Sequence, residues 1–342
     1  MKRILISILL IYVTLIIASE TPEELLRRSD ELYNQGEFLE SARIIDQMIE
    51  LGQESDLIYY YGACTWSLSG DKVKALDYLR KAVEAGWLDR EAIESDADLD
   101  GIRQEDMYQE IIMLLDHKRE LLNDSLPVNH EPLKTILLPD PQLKSKISVE
   151  EALQNRRSRR QYLDSALSLD EVSQILWSAY GITRPIKDGP EYLKGGLKTA
   201  PSAGALYPLE LYIVSRNVEG LNPGIYKYDP ENHSLLLLTE GDISNALAEA
   251  CYDQEWVEEA AFNVVYSAIF SRTTDTYGPR GRERYVCMDL GHSAENIYLQ
   301  CETLYLGTVA IGAFQDFKIK SLIGMTRDEE PLYLMPIGKR AD

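Results

Sequence analysis

The segment Arg156-Arg157-Ser158-Arg159-Arg160 is the most informative part of this chain, because it places four guanidinium groups and a hydroxyl within five residues. The formal net charge of the whole chain is −21, so a cluster of cations repels itself unless it binds an anion or folds against acidic side chains. Arginine presents a planar fork of donors that matches phosphate and carboxylate oxygens. We interpret the cluster as an anion clamp, with a solvated charge run or a basic helix end as the alternative.

Two segments of small residues lie farther along the chain. Residues 199–205 read TAPSAGA, and residues 307–314 read GTVAIGAF. Small side chains let a backbone approach a flat ligand, and glycine adopts conformations that other residues avoid. An anion clamp with two such loops indicates a phosphate-bearing planar cofactor. Ordinary tight turns are the alternative interpretation of each loop.

The elements around these segments indicate a mixed fold. Ser148 with Glu151 and Ser168 with Glu171 are capping boxes that begin two helices. A long, largely apolar helix is predicted over residues 284–306. Strands are predicted at residues 209–214, 224–228, 234–238, 262–270 and 332–336. Residues 146–342 are therefore predicted to form an α+β domain, with one main sheet flanked by helices.

The residues before this domain follow a different sequence pattern. Residues 22–120 are predicted to be all helical and repeat with a 34-residue period, so that Gly36 aligns with Gly70 and Leu32 with Trp66. This pattern resembles the tetratricopeptide repeat, which implies a groove for a protein or peptide partner. A helical scaffold without a partner is the alternative. The proline-containing residues 121–145 are predicted to be a linker.

The first 19 residues have the order of an export signal. Lys2 and Arg3 precede a largely apolar run, and Ala18 and Ser19 are small residues at which a signal peptidase cuts. This order predicts an exported protein, periplasmic or extracellular. An uncleaved N-terminal segment that anchors the protein in a membrane is the alternative.

Composition excludes two classes of function. An acidic chain has little means of neutralising phosphates without sequence specificity, so nucleic-acid binding is not expected. The four histidines and four cysteines form no C-x-x-C or H-x-x-x-H spacing, so no metal site is predicted. The sequence does not decide whether any pair among Cys64, Cys251, Cys287 and Cys301 forms a disulfide.

Three longer motifs point to a known family. They are residues 201–212 (PSAGALYPLELY), residues 224–230 (GIYKYDP) and residues 289–292 (DLGH) with Asn296. With these motifs in this order, the region from about residue 145 to 342 resembles the nitroreductase-like flavoprotein family. Within it, the region resembles the SagB-type dehydrogenase branch, of which some members oxidise azoline rings in peptides.

The resemblance implies that FMN is bound at a homodimer interface. The residues that would hold its phosphate, ribityl and pyrimidine groups are Arg156, Arg157, Ser158 and Arg160. The residues that would line the isoalloxazine ring are Pro201, Ser202, Ala203 and Gly204. The backbone that would approach the ring near N5 is that of Ile311, Gly312 and Ala313. Lys339 and Arg340 resemble terminal basic residues that reach the phosphate, with solvated side chains as the alternative.

One departure from the branch concerns catalysis. Azoline-oxidising members carry a Lys-Tyr pair before the long helix, whereas this chain has Thr276-Tyr277. Tyr277 is therefore the candidate acid or base, and a packed aromatic side chain is the alternative.

The resemblance implies an FMN-dependent oxidoreductase with two-electron, ping-pong hydride chemistry. NADH and NADPH are candidates for the electron donor, and the sequence leaves open which small molecule or peptide is the substrate. The alternative is a non-catalytic flavin-fold protein that recruits a partner through its helical repeats.

Overall fold

The computed structural model describes residues 20–186, 188–190, 193 and 195–341. It divides the chain into two compact units, Met1–Arg119 and Glu120–Asp342. The predicted signal segment, residues 1–19, lies outside the described residues.

The first unit is helical, as predicted. Its helices are α1 (Pro22–Asn34), α2 (Phe38–Glu50), α3 (Asp56–Ser69), α4 (Lys72–Ala85), α5 (Arg90–Ser95) and the first part of α6 (Asp106–Ser125). Consecutive helices from α1 to α4 pack against each other. Gly36 lies between α1 and α2 with φ of 80°, and Gly70 lies between α3 and α4 with φ of 91°. Glycine adopts this left-handed conformation at little cost, which explains why the two aligned glycines recur.

The second unit contains the remaining helices and the strands. The helices are α7 (Val149–Asn155), α8 (Leu169–Tyr180), α9 (Ser244–Ala250), α10 (Glu255–Glu259), α11 (Ser271–Tyr277), α12 (Cys287–Leu304) and α13 (Asp316–Ile323). The strands are β1 (Lys134–Leu137), β2 (Tyr162–Leu163), β3 (Ile182–Pro185), β4 (Gly196–Lys198), β5 (Leu209–Ser215), β6 (Gly224–Asp229), β7 (Ser234–Glu240), β8 (Phe262–Ile269), β9 (Leu306–Thr308) and β10 (Glu329–Arg340).

Within the described residues, eight strands form one sheet in the order β1-β7-β6-β5-β8-β10-β2, and β9 pairs with β10. Neighbouring strands in it are antiparallel. Buried side chains of α8 and α12, such as Ile175 and Ile297, cover one face. Side chains of α9 and α13, such as Leu247 and Ile319, cover the other. The predicted α+β class, a sheet flanked by helices, is confirmed.

Local predictions in this unit are borne out. Ser148 and Ser168 each accept a hydrogen bond from a backbone amide three residues on, and Glu151 and Glu171 complete both capping boxes. The hairpin of β6 and β7 pairs Asp229 with Ser234 across its turn. These features depend on neighbours in sequence, and for that reason the sequence predicts them well.

Two elements differ from the sequence prediction. The predicted helix over residues 284–306 begins as a π-helical turn, Gly281–Val286, and continues as α12. The predicted linker, residues 121–145, contains β1, which pairs with β7 over the register Lys134↔Leu237 to Leu137↔Ser234. Periodicity within a short segment does not reveal that a distant strand has an unpaired edge.

The predicted export and membrane anchoring are contradicted. Among the helices in the described part of the chain, none combines the length and the apolar character that crossing a membrane requires. Helix α6 has 20 residues but carries charged side chains along its length. A span needs roughly 20 predominantly apolar residues.

The four cysteines are free thiols, three of them buried and Cys287 exposed.

Candidate active site

The arginine cluster follows directly after α7. Arg156 caps the helix and donates its amide to the Ala152 carbonyl at 2.9 Å. Arg157 is exposed, and its Nη1 donates to the Gln154 and Arg156 carbonyls at 3.1 and 2.8 Å. Ser158 and Arg160 are also exposed. The cluster therefore presents donors at the surface, at a helix end that also favours positive charge.

Arg159, in contrast, is mostly buried. Its guanidinium pairs with the buried Glu302 carboxylate of α12, and its amide donates to the Thr308 carbonyl at 2.9 Å. Arg340 also pairs with Glu302, with 3.2 Å between Nη1 and Oε2. Two cations and one buried carboxylate thus tie the cluster to α12 and β10.

Lys339 and Arg340, the two basic residues predicted to reach the phosphate, are both paired with carboxylates. Lys339 pairs with Glu171 of α8. Arg340 lines, with Arg157 and Arg159, a cleft of about 460 Å³ that Glu151 and Glu302 also border. Arg340 thus lies beside the arginine cluster, and its charge is already compensated in part by Glu302.

The small-residue loop is held by the same helix. Residues Ala203–Ala205 form a 3-10 turn, in which Gly204 has φ of 63°. Asp289 of α12 accepts hydrogen bonds from the Ser202 side chain and the Ala203 backbone. Burial raises the pKa of the Asp289 carboxyl, and these two hydrogen bonds oppose the rise. His292 Nδ1 lies 3.3 Å from the Pro201 carbonyl oxygen. Two motifs about 90 residues apart in sequence thus contact each other.

Tyr277, the predicted acid or base, lies at the end of α11 against this loop. A Cβ atom placed on Gly204 would lie 2.8 Å from the Tyr277 hydroxyl oxygen. The Tyr277 ring is 38% exposed and packs edge to face on Tyr285, with 4.9 Å between centroids. The structure therefore brings the candidate catalytic hydroxyl next to the loop predicted to line the cofactor.

Two lysines that would be candidates for the missing base are engaged elsewhere. Lys227 pairs with Glu329 at 2.8 Å and with Glu210 at 3.3 Å. Lys320 donates to the Arg327 carbonyl at 2.8 Å.

In the second small-residue loop, Ile311 is the first of the three predicted site residues, and it is anchored to β10. Ile311 is buried and exchanges both backbone hydrogen bonds with Leu334 of β10, at 2.8 and 2.9 Å. Gly312 and Ala313 are exposed. Since the Ile311 amide is already used, a ligand approaching this loop meets the backbone of Gly312 and Ala313.

Sequence reasoning missed two residues of α12, Tyr298 and Glu302. The Tyr298 hydroxyl lies 3.1 Å from Ser158 Oγ and accepts a hydrogen bond from the Ala310 amide at 2.8 Å. The Arg156 guanidinium lies 5.2 Å from the centre of the Tyr298 ring. Of these two residues, only Glu302 could have been noticed in the sequence, because it is an acidic residue in a largely apolar helix. Helix α12 thus contacts the arginine cluster and both small-residue loops.

Comparisons with known proteins find a family match in each of the two units. The model of the nitroreductase family matches residues 153–339, and the model described as the A/B hydrolase-like N-terminal domain matches residues 21–123. The helical unit thus matches a differently named family, so its tetratricopeptide character stays a prediction.

Individual relatives cover mainly the second unit. A Methanocaldococcus jannaschii protein named as a nitroreductase is 42% identical over 207 residues, which cover 60% of this chain and 97% of that protein. The trifolitoxin operon protein TfxC of Rhizobium leguminosarum is 26% identical, over 55% of this chain and 54% of that protein, so the chain spans about half of that relative. A solved structure from Ralstonia eutropha, also named as a nitroreductase, has 28% identity and a TM-score of 0.51, covering 63% of this chain and 99% of that one. The chain belongs to the nitroreductase family, a family of oxidoreductases, and its second unit carries the family's fold.

Proposed function

We propose that the protein is an FMN-dependent oxidoreductase that works by two-electron, ping-pong chemistry. The observation that carries the proposal is the convergence on α12 of three segments that are distant in sequence. They are the arginine cluster, the loop at Pro201–Gly204 and the loop before Gly312. Family membership supports a redox role, and the geometry supports a site that accepts a flat, phosphate-bearing molecule.

The residues present suit FMN in their chemistry. Arg156, Arg157 and Arg160 would offer guanidinium donors to its phosphate, and Ser158 would offer a hydroxyl to a ribityl oxygen. Gly204 leaves open the space that a Cβ atom would occupy against Tyr277. When bound, FMN would supply the capacity to accept and donate two electrons.

Tyr277 is the side chain proposed to move a proton to or from the substrate. Its hydroxyl adjoins Gly204 and its ring is partly exposed, so a substrate above the loop would reach it. An unperturbed tyrosine has a pKa of about 10, which favours proton donation over proton abstraction near neutral pH. With Lys227 and Lys320 both engaged, we do not expect this protein to oxidise azoline rings.

The likeness to a trifolitoxin operon protein supports a peptide as the substrate, and a small molecule is the alternative. The helical unit would then be the place at which a protein or peptide partner binds. We further propose that the protein works as a homodimer and that NADH or NADPH supplies the electrons. These proposals rest on the family and on the composition of the site.

The test is to identify the bound flavin and to reduce it. The purified protein should be yellow and release FMN on heating. Anaerobic titration with NADH, NADPH and dithionite should bleach the flavin spectrum. Arg156→Ala should weaken FMN binding by about tenfold or more, since a charge-assisted hydrogen bond contributes about 1.5–3 kcal/mol. Arg27→Ala, a change at an exposed arginine of α1, is the matched control.

Two results would count against the proposal. Release of FAD would show that the cofactor is assigned wrongly. A colourless protein that FMN does not reconstitute would favour the non-catalytic binding or assembly role instead.

A further inference from the structure

We propose that Tyr298 is a positioning residue, which joins two halves of the proposed FMN site and orients the Ser158 hydroxyl toward the ligand. The inference rests on the proposed function and goes beyond it, because it assigns a role to a residue of α12 outside the family motifs noted in the sequence. The ligand class is a molecule with phosphate or hydroxyl oxygens, as in the ribityl phosphate of FMN.

The contacts of Tyr298 come from both sides of the site. The Ser158 hydroxyl, from the arginine cluster, lies 3.1 Å from its hydroxyl oxygen. The Ala310 amide, from the second small-residue loop, donates to the same oxygen at 2.8 Å. The Arg156 guanidinium lies 5.2 Å from the ring centroid, within the range of a cation–π interaction. One half-buried side chain thus contacts two segments that are about 150 residues apart in sequence.

The direction of the Ala310 hydrogen bond is fixed by its donor, and that of the Ser158 hydrogen bond is part of the proposal. A backbone amide can only donate, so the Tyr298 oxygen accepts from Ala310. The single phenolic proton can then point to Ser158 Oγ, the other polar atom within hydrogen-bond distance in the described structure. In the proposed arrangement, Ser158 accepts that proton, and its own proton is left for an outside acceptor. Because Ser158 is exposed, that acceptor can be a ligand oxygen.

The same contact fixes the backbone within the second small-residue loop. The Ala310 amide is held by Tyr298, and the next amide, Ile311, is held by Leu334 at 2.8 Å. Two successive amides are therefore used for anchoring, and the exposed residues Gly312 and Ala313 follow immediately. Loss of the Tyr298 hydroxyl would free the first anchor and change how these two residues meet a ligand.

The test compares FMN affinity in four forms of the full-length protein: wild type, Tyr298→Phe, Ser158→Ala and the double variant. Phenylalanine keeps the ring beneath Arg156 and removes only the hydroxyl. Affinity is measured by the quenching of FMN fluorescence, and the visible circular dichroism of the bound flavin reports its surroundings. Tyr226→Phe is the matched control, because it removes a hydroxyl that donates to the Asn222 carbonyl at 2.8 Å, in a different part of the unit.

Each single variant should bind FMN about tenfold more weakly, which corresponds to one hydrogen bond. The double variant should bind no more weakly than about the worse of the two, because both changes break the same chain of hydrogen bonds. The flavin dichroism should change in Tyr298→Phe and stay unchanged in Tyr226→Phe.

Wild-type affinity in Tyr298→Phe, or additive losses in the double variant, would overturn the inference while the proposed function stands. Failure of the wild type to bind FMN would overturn the proposed function itself, and this inference with it. If Tyr298→Phe does not fold, Ser158→Ala at its exposed position decides alone. Its affinity should fall about tenfold, and an unchanged value would overturn the inference.

Discussion

Gly204 meets two independent constraints, one from its own backbone and one from a neighbour. Its φ of 63° lies in the left-handed region that other residues rarely adopt. A Cβ atom there would also lie 2.8 Å from the Tyr277 hydroxyl oxygen. The tyrosine is partly exposed and can move, so the second constraint affects function more than folding.

Gly204→Ala should therefore lower the free energy of unfolding by about 1 kcal/mol and displace the Tyr277 hydroxyl. Chemical denaturation measures the first effect, and turnover with an artificial electron acceptor measures the second. Gly312→Ala is the control for stability, because its Cβ would meet only Tyr333, at 3.8 Å. Equal stability of the two variants would contradict the backbone argument.

The sequence predicted both Gly204 and Tyr277 as site residues, but it did not predict their contact. Each residue stands in a recognisable segment, whereas the distance between them depends on how α11 is placed beside the loop. Tyr298 and Glu302 were missed for the same reason. Their partners in the arginine cluster lie about 140 residues away in sequence, and nothing local marks a tyrosine that will contact a distant hydroxyl.

At the scale of elements, α12 determines how the site is assembled. Its first turns hold the Pro201 loop through Asp289 and His292, its middle holds Ser158 through Tyr298, and its end holds Arg159 through Glu302. This one helix thus contacts segments that are far apart in sequence and sets the distances between them. The capping boxes and the hairpin were predictable because their partners are close in sequence, whereas the grouping on α12 required the fold.

Glu302→Gln should be strongly destabilising, because it removes the buried charge that Arg159 and Arg340 share. Breaking a buried ion pair by removing one partner typically costs about 3–5 kcal/mol, and we expect the lower end because glutamine keeps one acceptor. Urea unfolding is the measurement. Glu31→Gln breaks an exposed pair with Arg27 and should cost less than about 0.5 kcal/mol. Similar losses of unfolding free energy in both variants would contradict the prediction that the ion pairs of Glu302 stabilise the protein more than an exposed pair does.

At the scale of the whole molecule, the proposed homodimer makes a direct prediction. Light scattering on the full-length protein should give twice the chain mass of 38.9 kDa. The expectation comes from the resemblance noted in the sequence, which implies a cofactor bound between two copies of the chain. A monomer that retains FMN with full affinity would contradict it and would require the site to be complete within one chain.

The pairing of β1 with β7 has a consequence for any attempt to shorten the protein. Residues 134–137 form β1, which pairs with one edge of β7. His130 precedes β1 in the sequence, and its Nε2 lies 2.8 Å from the Tyr212 hydroxyl oxygen. A fragment that begins at residue 146 would lack β1, so one edge of the seven-residue strand β7 would be exposed. The unpaired backbone groups of that edge can form hydrogen bonds with a strand of another molecule. Such a fragment should precipitate or form fibrils, whereas one starting at Glu120 should stay dispersed. Sedimentation of the two fragments at equal concentration would distinguish these outcomes.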